Sequence, residues 1–135
     1  MSYKSPLINV IKIGMSKISR RLTRDFGEIE NLQLSHDKID NFAQKSIIYV
    51  QKTLKDYLKN SRPKWFFFNH FNNENIEGKK INLDDDNYFW VIEPISGLNN
   101  FKRGIPFFAV SIAVKRNEET IVSCIFDPIR DEFFF

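Results

Sequence analysis

The 135-residue chain is short of several features that would each open a class of function. It has one cysteine, Cys124, which excludes an internal disulfide. Set in the apolar run Thr120–Asp127, that cysteine reads as a small buried side chain in a reducing, cytoplasmic protein. No stretch reaches the roughly 18 apolar residues of a membrane-spanning helix. The N-terminus carries Lys4 and Pro6 where a secretory leader has a long uncharged core. A soluble protein that does not enter a membrane is the expectation. There is no internal repeat, and aromatic residues do not alternate with the basic ones in the way a single-strand nucleic-acid platform requires.

What is present suits one compact domain over residues 1–135, because the length supports one core and not two. Hydrophobic residues make up 42% of the chain and 14 phenylalanines supply bulky packing. The abundance of Phe, Ile, Asn and Lys follows as readily from an AT-rich genome as from a functional demand. The net charge is +3, with much of the excess in Lys4, Lys12, Lys17, Arg20, Arg21 and Arg24. These read as the solvated face of a helix, and direct nucleic-acid binding is not expected.

Ser5-Pro6 suits a helix start, serine as cap and proline in the first turn. Leu7, Ile11, Met15, Ile18 and Leu22 then recur at spacings of four and three, which predicts a helix to about Arg24, stopped by Gly27. The segment Phe26–Ser35 reads as extended or looped. A second helix is predicted from about Asp40, read as its cap, to Asn60, with Ile47, Val50, Leu54 and Leu58 buried and Arg62-Pro63 closing it. Lys64–Phe68, Phe89–Ile92, Phe107–Val114 and Thr120–Phe126 read as strands, the last two joined by a turn at Asn117-Glu118-Glu119. Asn69–Asn87 is polar and reads as a surface connection. The chain closes on Glu132-Phe133-Phe134-Phe135, an aromatic strand expected at an exposed sheet edge. The fold class is therefore α/β, with two N-terminal helices packed on one face of a largely antiparallel sheet.

The chemistry concentrates in Trp90–Val114, WVIEPISGLNNFKRGIPFFAVSIAV. An acid, a proline, an apolar residue and Ser-Gly leave a strand, followed by a Gly-Ile-Pro turn and a second apolar run. Such a loop can offer carboxylate and backbone oxygens to a hard cation and backbone N–H groups to a phosphate. This stretch resembles the signature of the inositol monophosphatase family, whose loop runs Asp-Pro-apolar-Asp-Gly-Thr. RDFGEIENLQLS at Arg24–Ser35 is similar to the bacterial, extragenic-suppressor branch of that family, and GIPFFAVSIAV at Gly104–Val114 matches the pattern that follows the loop. The resemblance covers almost the whole chain yet corresponds to only about the first half of a family member. It implies half of a layered α/β sandwich, with one family carboxylate and much of the inositol-contacting surface expected in the other half.

The resemblance also implies a reaction: hydrolysis of a phosphate monoester, such as inositol 1-phosphate, by water activated on two or three Mg²⁺ ions. Several of its parts are changed here. The family's Glu-Glu pair falls on His70 and Phe71; His70 stands at a metal-ligand position, and reads either as a surface loop residue or as a ligand better suited to Zn²⁺. Glu93 replaces the first loop Asp and keeps a carboxylate, displaced by roughly an ångström, a shift that costs on the order of 10²-fold in a tuned site. The backbone C=O of Ile95 is a family ligand that any side chain provides. Ser96 replaces the second Asp and brings no charge. Leu98 replaces a Thr whose hydroxyl assists the attacking water. Gly97 is kept, and with the N–H of Leu98 it can still aim amides at a phosphate. Asn100 and Phe101 match as scaffold, and the family's upstream acids are replaced in Asn41-Phe42-Ala43-Gln44. The expectation is weak or lost Mg²⁺ binding and a catalytically impaired or inactive member whose family substrate is a small phosphorylated polyol. The alternatives are a non-catalytic module for a protein partner of the RNA polymerase or antitermination kind, and a decayed gene fragment.

Overall fold

In a computed structural model of the chain, residues 5–31, 35–69, 74–75 and 87–135 are described. Helix α1 (Ser5–Asn31) buries Ile8, Ile11, Met15, Ile18 and Leu22 along one stripe. The helix continues seven residues past the predicted end at Arg24, straight through Gly27. Phe26 and Ile29 extend the buried stripe, and burying each is worth about 1.5–3 kcal/mol, more than the ~1 kcal/mol an interior glycine costs. Leu7, expected in the core, is half-buried, and Ile8 takes its place.

Helix α2 (His36–Ser61) starts four residues before the predicted Asp40. The C=O of Ser35 accepts hydrogen bonds from the N–H groups of Lys38 and Ile39, both 3.1 Å, so Asp40 lies inside the first turns and does not cap. Its buried stripe is Ala43, Ser46, Val50, Leu54 and Leu58, with Ile47 packed half-buried beside it. Two details set the helix pair. Gly14 leaves so little room that an added Cβ would lie 3.1 Å from the Tyr57 ring. Asp25, 3% exposed, accepts hydrogen bonds from Arg21 Nε at 3.0 Å and Ser46 Oγ at 2.8 Å, so the buried charge is compensated from both helices.

The strands are β1 (Phe66–Asn69), β2 (Glu74–Asn75), β3 (Tyr88–Ser96), β4 (Ala109–Arg116), β5 (Glu119–Asp127) and β6 (Glu132–Phe134), in the sheet order β2-β1-β3-β4-β5-β6. Among the described residues only the β1–β3 pair runs parallel. Strands β4 and β5 join through Asn117 and Glu118, both at positive φ, the geometry that matches a right-twisted two-residue hairpin. Trp90, Val110, Ile112, Val114, Val122 and Cys124 face the two helices and complete the core. Burial pushes the Cys124 thiol up to about 11, which leaves it un-ionised and inert at neutral pH. Most of the polar connection Asn69–Asn87 lies outside the described residues. Among the described residues no helix is long and apolar enough to cross a membrane.

Candidate functional site

Strand β3 was expected to end at Ile92, yet it runs through Glu93 and Pro94 to Ser96. It does so by bulging. Glu93 lies opposite Ser111 and Ser96 opposite Ala109, so three steps on β3 match two on β4. Pro94 has no N–H to lose from the ladder, which suits it to the bulge. The extra residue turns Ile95 into the core, 7% exposed, and leaves Glu93 exposed and Ser96 half-buried.

The chain then turns at Gly97, whose φ of 83° lies in the left-handed region. A Cβ there would also meet the Phe107 carbonyl oxygen at 2.8 Å, so glycine is demanded by both conformation and space. Gly97 opens the short helix α3 (Leu98–Lys102), and its C=O accepts the Phe101 N–H at 3.1 Å. Phe101 is fully buried and packs edge-on to Phe108 at 5.0 Å, with Phe26 of α1 completing an aromatic triad. Leu98 lies half-buried against the core, so the apolar side chain at this position is used in packing.

The loop after α3 folds back onto the turn. Asn100 Nδ2 donates to the Phe107 C=O at 2.9 Å, the same oxygen that bars a side chain at Gly97. The Ile105 N–H donates to the Asn100 C=O at 2.9 Å. From the turn between β5 and β6, Arg130 Nη1 donates to the Pro106 C=O at 2.9 Å and pairs with Asp127, while its guanidinium lies 4.8 Å from the Phe107 ring centre. Asp127 Oδ1 in turn accepts the Ile129 and Arg130 N–H groups at 3.0 and 3.1 Å. Sequence reasoning missed Arg130 altogether; an Asp-Pro-x-Arg run after an apolar strand, a turn closed by its own side chains, was the available signal.

The structure thus brings Glu93, Ile95, Ser96, Gly97 and Leu98 together at one bulge and turn. His70 lies outside the described residues. Ala43, in the stretch matching the family's upstream acids, is fully buried, and Asn41 is exposed. Asp40 pairs with Lys102 Nζ at 3.0 Å, which ties α2 to α3. Beside that pair lies a cavity of about 680 Å³ lined by Glu30, His36, Asp40, Asn99, Lys102 and Arg103, to which none of Glu93, Ser96 and Leu98 contributes. The donor set at the bulge is one carboxylate, one hydroxyl and a backbone carbonyl. Among the described residues no three His, Cys, Asp or Glu side chains gather closely enough to hold a metal ion. Mg²⁺ takes near-octahedral oxygen ligation, keeps several of its waters and is held by one or two carboxylates; among the described residues the bulge offers it the single carboxylate of Glu93.

A family model described as the inositol monophosphatase family matches residues 5–135. The chain is 31% identical over 131 residues to an inositol-1-monophosphatase of Rhizobium meliloti, covering 97% of this chain and 47% of that protein. It is 27% identical to the Nus factor SuhB of Vibrio cholerae, covering 96% of this chain and 46% of that one. A crystal structure of the extragenic suppressor protein SuhB from Bartonella henselae superposes with a TM-score of 0.73 at 30% identity, over 96% of this chain and 47% of the other. The chain spans about half the length of the curated relatives it matches.

Proposed function

The chain belongs to the inositol monophosphatase family, and from that premise we propose that it preserves the phosphate-facing scaffold of a phosphate-monoester hydrolase without carrying out the reaction by itself. The observation behind this reading is the contrast within one loop. Its backbone is held by the bulge at Glu93–Ser96, by Gly97 in a conformation only glycine takes easily, and by Asn100 and Arg130 clamping residues 106–107. Its side chains supply a single acid. The Gly97 and Leu98 amides remain available in type to a phosphate oxygen. Family chemistry uses Mg²⁺ to activate water and neutralise the phosphate; Glu93, the Ile95 carbonyl and Ser96 occupy the ligand positions here, with His70 at a further one. Losing one positioned acid–base group costs about 10²–10⁴ in rate, and such losses overlap without simply multiplying.

Phosphate release from inositol 1-phosphate, measured across a panel of Mg²⁺ and Zn²⁺ concentrations, tests this directly. No release above background is expected, and turnover abolished by Glu93→Ala would refute the reading. A rescue sharpens it. In the variant His70→Glu, Glu93→Asp, Ser96→Asp, Leu98→Thr, clustered acids should lower stability without metal, and Mg²⁺ should restore it by mass action, about 2.7 kcal/mol at 100 times the dissociation constant. Phosphatase activity should still be absent until the other half of a family member is supplied. No Mg²⁺-dependent stabilisation would mean that these positions do not surround a metal site.

A protein partner is the second reading. Relatives at 25–29% identity are named Nus factor SuhB, and Lys12, Lys17, Arg20 and Arg24 stand exposed on α1. Pull-down with a charge-reversed α1 as control tests it.

A further inference from the structure

Helix α2 is sharply two-sided. Its buried stripe, Ala43, Val50 and Leu54, faces the core, and Lys45 and Lys52 each follow a buried residue by two positions, about 200° round the helix. Lys38, Lys45, Lys52 and Lys59 recur every seven residues, and all four are exposed. Seven residues fall about 20° short of two full turns, so the four make one outward row about 30 Å long. Among the described residues none of the four forms an ion pair. Of the acids on α2, Asp40 is tied to Lys102 and Asp37 sits in the first turn, which leaves Asp56 alone beside the row. Helix α1 lies alongside, joined where Ser46 Oγ donates to Asp25 at 2.8 Å, and carries Ile13, Lys17, Arg20 and Arg24 exposed at steps of four, three and four. Ile13 is 52% exposed and Ile48, between Lys45 and Lys52, is 56% exposed. Among the described residues these are the large apolar side chains that α1 and α2 leave to solvent.

We propose that this outer helix layer docks on an anionic lipid surface, the phosphate headgroups meeting the lysine row and the two isoleucines reaching the boundary with the acyl chains. Charge complementarity sets the sign of the partner, because Lys17, Arg20, Arg24 and the four lysines of α2 face out with only Asp56 and Glu28 as exposed acids beside them. Three features select lipid among anions. The row consists of lysines, compact point charges without the planar fork that suits a specific carboxylate or phosphate pair. No exposed ring on these helices offers a base-stacking platform: Tyr49 and Tyr57 lie half-buried under Arg21 and Lys17, at 4.6 and 5.2 Å. The exposed isoleucines gain nothing from a phosphate backbone or an acidic polypeptide, whereas they leave water on entering a headgroup layer. A cluster of roughly four to eight basic residues is the size that an anionic leaflet holds. Adsorption of this kind needs no spanning helix, and the described residues contain none. The row lies on α2, so it can be removed without touching the α1 cations of the protein-partner reading.

Co-sedimentation of the whole chain with vesicles tests this. Vesicles of phosphatidylcholine alone are compared, at rising salt, with vesicles in which part of it is replaced by anionic phosphatidylglycerol. Binding to the anionic vesicles only, weakening as salt rises, is expected. Each lysine held at the surface is worth about fivefold in partitioning, so Lys45→Gln with Lys52→Gln should weaken it roughly 25-fold. Lys64→Gln with Arg103→Gln removes the same net charge away from the row and should leave binding close to wild type. Ile48→Ser should weaken binding several-fold with the salt dependence unchanged, a split that a purely ionic contact does not give. All the substituted side chains are exposed, and circular dichroism checks that each variant keeps its helices. Equal binding to both kinds of vesicle, no binding to either at low salt, or equal losses in the two charge-matched variants overturns the proposal. So does a poly-uridylate strand that competes through the same lysines while Ile48→Ser affects neither ligand, because the partner is then a nucleic acid.

Discussion

Along β4, Val110, Ile112 and Val114 are sealed beneath the two helices, while Ser111 and Ala113, interleaved with them, sit half-exposed on the other side. The same alternation on β5 seals Val122, Cys124 and Phe126 and leaves Ser123 and Ile125 open. The two faces therefore carry different loads. The inner one holds most of the packing that offsets the conformational entropy of folding; the outer one buries Phe89 beneath Phe66 and Phe68 at one end and leaves Ser123, Ile125 and Phe134 exposed at the other. The bulge at Glu93–Ser96 is where they meet, because it sends Ile95 inward and keeps Glu93 outward.

The sharpest way to break this contrast uses neighbours. Ile112→Ala removes a fully buried side chain and should cost about 2–5 kcal/mol in chemical denaturation, whereas Ser111→Ala, one residue earlier, should stay within about 0.5 kcal/mol. Comparable losses at both positions would mean the outer face is as fully engaged as the inner one.

Gly97→Ala comes next. The left-handed conformation costs a non-glycine residue roughly 1–2 kcal/mol, and the 2.8 Å approach to the Phe107 carbonyl adds to it because the blocking atom is backbone. A loss of about 2–3 kcal/mol is expected, with exchange protection falling in α3 and β4's first residues while α1 and α2 keep theirs. Wild-type stability would show that the turn is not held against residue 107.

Much of this was legible in the sequence, and the misses share a cause. The α1 and α2 stripes and the alternation on β4 followed from periodicity, which reports which side is buried. Gly27 misled as a helix stop because local propensity ignores what Phe26 gains by packing on Phe101 and Phe108 and Ile29 by burial in the core. Asp40 misled as a cap because its partner, Lys102, lies far along the chain. The bulge was invisible because a one-residue excess on β3 exists only relative to β4. At the site, the residue types at Glu93, Ser96, Gly97 and Leu98 were legible, whereas the clamp of Asn100 and Arg130 on residues 106–107 depended on tertiary approach.

A smaller effect separates the inner face by pH. The Cys124 thiol is raised by burial from 9.0 to about 11, so the folded state holds its proton while the unfolded chain releases it. Stability is fully present below pH 9 and falls as pH rises from there towards 11, with a slope approaching 1.4 kcal/mol per pH unit. Cys124→Ala should remove that part of the alkaline slope at some general cost in packing. Ser123→Cys in the Cys124→Ala background should restore little of it, its thiol being solvated. Identical alkaline slopes for wild type and Cys124→Ala would place Cys124 in contact with water.

The smallest effect on the free chain is the most informative about the outer face. Ile125 is 46% exposed, and its paired neighbours Ser111 and Phe134 give it only a partial shelter. Ile125→Thr keeps the β-branched shape that suits a strand, so its cost in the free chain should stay within about 0.5 kcal/mol. Joined to the other half of a family member, the same substitution buries a hydroxyl where a methyl-bearing side chain packed, and the cost should rise to about 1–3 kcal/mol. The difference between those two measurements, one residue in two contexts, reads out the occupation of the face without any appeal to activity. A full-sized cost in the free chain would mean that Ile125 is already covered; a negligible cost in the joined protein would mean that the second half packs elsewhere, leaving the Glu93 row open to solvent.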